Sequence, residues 1–233
     1  MMNSIGMSKI GLVRQRNEDR FFIDGPVCAV TDGMGGYKGG EIASTYAVDE
    51  IERSLQKANF FDEQILCDAI RQANASIVNR VKEEKSLTGM GTTAVVVAIQ
   101  DNILYWASVG DSRLYVMKQG ILQQITTDHS MVQELFSAGE ITKEEMLTHP
   151  KRNLLTRAVG VNSILAVDSG QLEVAPGDRI VLCTDGLTGY VNDHEIEQVL
   201  NETSDNNTAV NTLMNRVYDL GASDNVTIIV GTI

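Results

Sequence analysis

"TTAVVVAIQDNILYWASVGDSRLYVMKQGILQQIT", residues 92–126, contains four β-branched or aromatic runs separated only by Asp101-Asn102, Gly110-Asp111 and Gln119-Gly120. Runs of this composition predict strands. Links this short predict hairpins, and therefore antiparallel sheet, because a parallel crossover needs a much longer connection. Gly25-Pro26 joins RFFID to VCAVT in the same way, and ILAVDSGQLEV, RIVLCT and NVTIIVGTI add further strands. Apolar residues at three- and four-residue steps predict helices over 41–56 and 62–85. Shorter helices are expected at 131–138, at 144–148 behind a Thr142/Glu145 capping box, at 195–200 behind Asp193, and at 208–220. Helices that come in pairs and strands that come in hairpin runs predict an α+β sandwich with helices covering the sheet faces. With three prolines in 233 residues and no shift in composition, one domain over 1–233 is expected.

The net charge of −12 repels phosphate backbones and anionic lipid at long range, which argues against a nucleic-acid partner. An anionic substrate would need local cations to overcome that field. Cys28, Cys67 and Cys183 lie far apart without a C-x-x-C, so they form neither a disulfide framework nor a zinc signature. No apolar leader or stretch of membrane-spanning length is present, and a cytoplasmic location without stable membrane insertion is expected.

Acidic residues recur at the ends of strands. VCAVTDGMGG (27–36) and IVLCTDGLTG (180–189) repeat one device: a buried strand, then Thr-Asp-Gly, then an apolar residue and another glycine two places on. WASVGDSR and GASDNVTIIV place Asp111 and Asp224 at similar junctions, and RQRNED puts Glu18 and Asp19 just before a strand. A single Asp beside Gly is commonly turn chemistry, its side chain capping its own backbone. Several gathered at a common sheet edge would repel one another unless a cation neutralised them. Oxygen-only donors suit Mg²⁺ or Mn²⁺ better than zinc or copper. DGMGGYKGG has neither the Lys-Ser/Thr of a nucleotide phosphate loop nor the dinucleotide pattern. Its glycines fit a close approach of the Gly33 carbonyl to an ion.

GLVRQRNED (11–19), TDGMGG (31–36), GTTAVV (91–96), VGDSRLY (109–115), TTDHS (126–130), HPKRNLLTRAVG (149–160), LCTDGL (182–187) and SDNVT (223–227) occur in order along nearly the whole chain. In these motifs the sequence resembles the metal-dependent serine/threonine protein phosphatases of the PPM, or type 2C, family in their compact bacterial form. The resemblance implies a four-layer αββα sandwich with two Mn²⁺ or Mg²⁺ ions at one edge of the sheets. Asp32 would bridge both ions, Asp185 and Asp224 would complete one, and the Gly33 carbonyl would complete the other. Glu18 and Asp19 would act mainly through water, and Asp111 would help Asp185 hold a third, weaker ion. Arg14 corresponds to the phosphate-binding arginine, the local cation that the net charge calls for.

The implied reaction is hydrolysis of phosphoserine and phosphothreonine by direct attack of a water or hydroxide bridging two metals, with no phosphoenzyme. The implied partners are phosphorylated proteins, a bacterial Ser/Thr kinase and its substrates, acted on by a monomer. Residues 131–153 correspond to the family's flap. Two positions depart from the pattern: Lys9 replaces a supporting Asp, and Met34 stands where the eukaryotic branch has a proton-donating His. With the first motif so near the start, no regulatory domain is expected before it. His129 and His149 at the flap base, and Cys183 on its strand, are expected to be structural. The alternative is a catalytically weak module that binds phosphoproteins; loss of ligands would mark it, and none is lost.

Overall fold

The computed structural model describes residues 2–35 and 39–233, so Gly36 and the rest of 36–38 in the glycine-rich stretch lie outside the described residues. The chain begins with β1 (Asn3–Lys9), β2 (Asp19–Asp24) and β3 (Val27–Met34), followed by helices α1 (Gly39–Leu55) and α2 (Glu63–Glu83). Strands β4 (Gly91–Thr92), β5 (Ala94–Gln100), β6 (Ile103–Val109), β7 (Arg113–Lys118) and β8 (Ile121–Gln124) come next. Two short helices, α3 (Met131–Ser137) and α4 (Lys143–Thr148), lead to β9 (Asp168–Glu173) and β10 (Arg179–Cys183). The chain ends with α5 (Asp185–Thr188), α6 (Asp193–Glu202), α7 (Asn206–Asp219) and β11 (Val226–Thr232).

One sheet runs β1-β11-β10-β7-β8 and the other β2-β3-β5-β6-β9, with β4 beside β3. Every pairing between named strands is antiparallel. Asp101 and Asn102, at φ 52° and 64°, turn β5 into β6 with the twist of a two-residue hairpin. Gly110-Asp111 behaves differently from the expectation. Its two flanking strands lie in different sheets, so the link crosses between layers instead of closing a hairpin. The crossing lets Leu104 of β6 and Leu114 and Val116 of β7 fill the space between the sheets.

Alternation along the strands builds three cores. Val95 and Val97 point between the sheets with Cys28, Val30, Leu182 and Ile229. Ala94, Val96 and Ala98 on the same strand point outward onto α1 and α2. Val181, Cys183, Ile228 and Val230 pack outward onto α6 and α7. The result is an α+β sandwich of four layers. Strands covered on both faces explain why β3 and β5 read as nearly continuous apolar runs.

Asp62 caps α2, accepting from the Ile65 N–H at 2.7 Å. The Thr142/Glu145 box is present at α4. Asn192, not Asp193, caps α6, and Asp205 caps α7, so both helices start earlier than their apolar periodicity indicates. The α3–α4 segment is thinly attached: α4 buries no residue and α3 only Val132. No helix among the described residues is long and apolar enough to cross a membrane.

Candidate active site

The edge where β2, β3, β10 and β11 begin or end collects the acidic residues. Asp19 opens β2 and is the direct cross-strand partner of Asp32 near the end of β3. Asp185 follows β10 at the start of α5, Asp224 precedes β11, and Asp111 sits in the crossover from β6 to β7. Crowding shows in their acidities. Burial, followed by repulsion from Asp19, Asp185, Asp111 and Asp224, holds the Asp32 carboxyl well above the usual carboxylate range. Burial and then Asp185 raise Asp111, while burial and then Asp224 raise Asp185. Asp32, Asp111 and Asp185 keep some accessible surface, because protein surrounds them on nearly every side except the open floor they line.

Asp19 is fully enclosed and its carboxyl is pushed up to about 7, mainly by burial. Its Oδ2 accepts from Thr227 Oγ1 at 2.7 Å and Thr184 Oγ1 at 2.9 Å. Ser8 Oγ lies 2.7 Å from Thr227 Oγ1 and accepts from Asn17 Nδ2, so a chain of hydroxyls holds this carboxylate from behind. Among the described residues, Asp19 Oδ1 and Asp185 Oδ1 are buried with no hydrogen-bond partner. The Asp32 backbone is clamped separately: its N–H donates to Thr93 Oγ1 and its carbonyl accepts from Thr93 N–H and Thr92 Oγ1.

The glycines bring a helix start against this floor. A Cβ on Gly40 would lie 2.7 Å from the Gly33 carbonyl oxygen and 2.8 Å from Glu18 Oε2, and one on Gly33 would lie 2.0 Å from the Gly40 carbonyl. Only a residue without a side chain permits that approach. The same contact places the Gly33 carbonyl and the Glu18 carboxylate around one small space.

Among the described residues no three carboxylate, histidine or cysteine side chains form a ready-made metal cage. The donors instead line an open floor, and two carboxylate oxygens there are orphaned. An oxygen-only set of this shape fits hard divalent cations that keep several waters of their own. Arg14 overhangs the rim, its Nη2 donating to Asp224 Oδ2 at 2.7 Å with half of the side chain exposed. The structure brings Arg14, Glu18, Asp19, Asp32, Gly33, Asp111, Asp185 and Asp224 to one site. A groove of about 670 Å³ leads away from Asp111 and Asp185 between α4 and α6, lined by Met146, Leu147 and Tyr190. A second groove of about 610 Å³, between edge strands β8 and β9, contains none of these residues.

A family model described as protein phosphatase 2C matches residues 13–219. The chain belongs to the protein phosphatase 2C family. By that membership it is a phosphoprotein phosphatase. It is 34% identical over 229 residues to the serine/threonine phosphatase stp of Listeria monocytogenes, covering 94% of this chain and 91% of that protein. It is 35% identical over 224 residues to the serine/threonine protein phosphatase PstP of Mycobacterium tuberculosis, covering 96% of this chain but 43% of that longer protein. The crystal structure of the Mycobacterium tuberculosis phosphatase PstP/Ppp superposes with a TM-score of 0.95 at 34% identity, over 100% of this chain and 98% of that one. The catalytic domain of PstP in complex with two manganese ions superposes with a TM-score of 0.92 at 33% identity, over 99% of this chain and 97% of that one.

Several residues of the site are not evident from the sequence. Asn225 is buried beside Asp224 and reaches back to the 10–18 loop. Its Nδ2 donates to the Ile10 and Arg16 carbonyls, and its Oδ1 accepts from the Glu18 N–H, all at 2.8 Å. Lys9, which replaces a supporting Asp, lies over the Tyr218 ring at 5.2 Å, while Ser8 beside it joins the hydroxyl chain. His129 is more than a filler of the flap base. Its Nδ1 accepts from the Gly110 N–H at 3.0 Å, and its Nε2 lies 3.2 Å from Asp168 Oδ2 and 3.1 Å from Arg157 Nη1. His149 Nδ1 only accepts from the Lys151 N–H. Cys183 is fully enclosed, and burial pushes its thiol up to about 12, consistent with core packing.

Proposed function

We propose that the chain hydrolyses phosphoserine and phosphothreonine in proteins by direct attack of water, and that it reverses the action of a Ser/Thr kinase. The observation that carries this reading is the convergence of five aspartates and Arg14 on one floor, with buried Asp19 and Asp185 oxygens that find no hydrogen-bond partner among the described residues. Asp32, Asp185, Asp224 and the Gly33 carbonyl would hold two Mn²⁺ or Mg²⁺ ions. Glu18 and Asp19 would act through water, and Asp111 with Asp185 would hold a third ion. Bound there, the ions supply an activated water and positive charge for the phosphoryl oxygens.

The chain's own residues do the positioning. Thr92 and Thr93 fix the Asp32 backbone, and Thr184 and Thr227 fix one oxygen of Asp19, so the other faces the floor. Arg14 presents a planar guanidinium at the rim, a shape that matches a phosphate in two-point contact. It pairs with Asp224 across 2.7 Å, and binding a substrate would exchange that partner for the phosphate. Met34 offers no proton to the leaving oxygen.

The test is phosphate release from a phosphothreonine peptide and a phosphotyrosine peptide, each with and without Mn²⁺. Release from the first, dependent on Mn²⁺ and lost in Asp32→Asn and Asp185→Asn, is the expected result. No turnover on either peptide overturns the reading.

A further inference from the structure

We propose that Leu12 and Val13 form an apolar subsite beside Arg14, receiving the large apolar side chains that flank the phosphorylated residue of a protein substrate. The proposal rests on the phosphatase reading above. Leu12 is 63% exposed, Val13 69% and Leu220 57%, and Ile10 adds a fourth exposed apolar side chain. The loop that holds them is pinned along its length. The Leu12 N–H donates to the Ala222 carbonyl at 2.7 Å, the Gly11 N–H donates to Tyr218 Oη at 3.1 Å, and Asn225 holds the Ile10 and Arg16 carbonyls. Gly11, at φ +79°, lies so close to the 222–224 segment that a Cβ there would sit 2.1 Å from the Asp224 carbonyl. A loose loop would fold its apolar tips inward; this one is built to hold them out. Leu220 lies two residues before Ala222, whose carbonyl holds the Leu12 N–H. Apolar surface displayed in this way marks a recognition site.

What covers the patch follows from its neighbour. Arg14 comes directly after Val13 and stands at the rim of the carboxylate floor, where the phosphate is to be held. A phosphate fixed there leaves the adjacent residues of an extended substrate one step of about 3.8 Å away along its chain. Arg14 supplies a cation at the rim in a chain of net charge −12, which suits an apolar segment carrying a phosphate. A second copy of this chain brings the same large negative charge and is disfavoured.

The test compares wild-type kcat/KM, with Mn²⁺, on two phosphothreonine peptides that differ only in the flanking residues: Val and Leu in one, Gln and Ser in the other. A small aryl phosphate is the third substrate. The expected result is a preference of about tenfold or more for the apolar peptide. It should persist at high salt, where a charge-based preference would fade, and the ratio should collapse toward one in the Leu12→Ser/Val13→Ser protein. A wild-type ratio near one overturns the proposal, and so does a ratio that survives the double substitution. No hydrolysis of any of the three, the aryl phosphate included, removes the phosphatase reading and this subsite with it.

Discussion

Asp19 and Asp32 are direct partners across the β2–β3 ladder, which places an enclosed carboxylate beside one that lines the open floor. The Asp19 carboxyl is pushed from 3.8 to about 7, mainly by burial, and Asp32 is raised by burial and then by Asp19. A carboxyl whose folded-state pKa lies above its unfolded value stabilises the fold fully below the unfolded value. That contribution is lost as pH rises through the folded one. Metal-free protein is therefore expected to lose stability from about pH 4, near the unfolded value, to about pH 7, where Asp19 ionises in the fold. Mn²⁺, which neutralises the cluster, should flatten that slope. Thermal unfolding across this range in EDTA and in Mn²⁺ checks it, and a flat metal-free profile would refute it.

Asp32→Asn should move activity and stability in opposite directions. It removes the charge that Asp19, Asp185, Asp111 and Asp224 all repel, so the metal-free variant should melt higher than the wild type. Phosphate release should drop by about 10³-fold, the scale expected when a main electrostatic stabiliser is lost. Calorimetry in EDTA and a phosphate-release assay in Mn²⁺ read the two halves separately. A variant that melts lower would show that repulsion is not what strains this site.

The parts of this arrangement that can be read from sequence have local signatures. Asp32 and Asp185 stand out because a buried strand followed by Thr-Asp-Gly occurs twice. The two threonines of that repeat nevertheless do different work. Thr184 Oγ1 donates to Asp19, while Thr31 Oγ1 donates to the Ser44 carbonyl, a distinction that depends on what packs alongside. β1 is not visible as a strand because NSIGMSK mixes glycine, serine and lysine. It becomes one by pairing residue for residue with β11, from Asn3↔Thr232 to Lys9↔Val226. α5, four residues long, has no room for a period. Ser8 and Thr227 meet across the whole length of the chain, and Asn225 reaches a loop more than 200 residues away, so neither contact leaves a pattern in nearby sequence. Gly110-Asp111 has the composition of a hairpin, and only the demand of the middle core for Leu104 and Leu114 turns it into a crossover.

Asn225→Ala should act through the loop that carries Arg14 and Glu18. The change deletes three hydrogen bonds of 2.8 Å and leaves two backbone carbonyls and one N–H without their partner. Each polar group left unpaired in a buried place costs about 1–3 kcal/mol. The expected outcome is a lower melting temperature together with a raised KM for phosphopeptide. In an Arg14→Ala background the same change should raise KM little further, because its effect runs through Arg14. Strictly additive KM effects in that double-mutant cycle would mean that Asn225 serves only general stability.

Gly40→Ala tests whether the glycines after Asp32 serve the ion site or merely a turn. The added methyl would sit within 2.8 Å of both the Gly33 carbonyl oxygen and Glu18 Oε2. Helix propensity alone would favour alanine over glycine here. Overpacking of this kind typically costs about 1–3 kcal/mol, and relief requires Gly33 or Glu18 to move. Because those two oxygens border the space where an ion is to be held, the variant should bind Mn²⁺ more weakly even where it remains folded. Titration calorimetry on protein shown to be folded by circular dichroism measures this directly. Unchanged Mn²⁺ affinity would place the Gly33–Gly40 contact in the packing of α1 alone, whereas weakened affinity with an intact fold ties it to the metal floor.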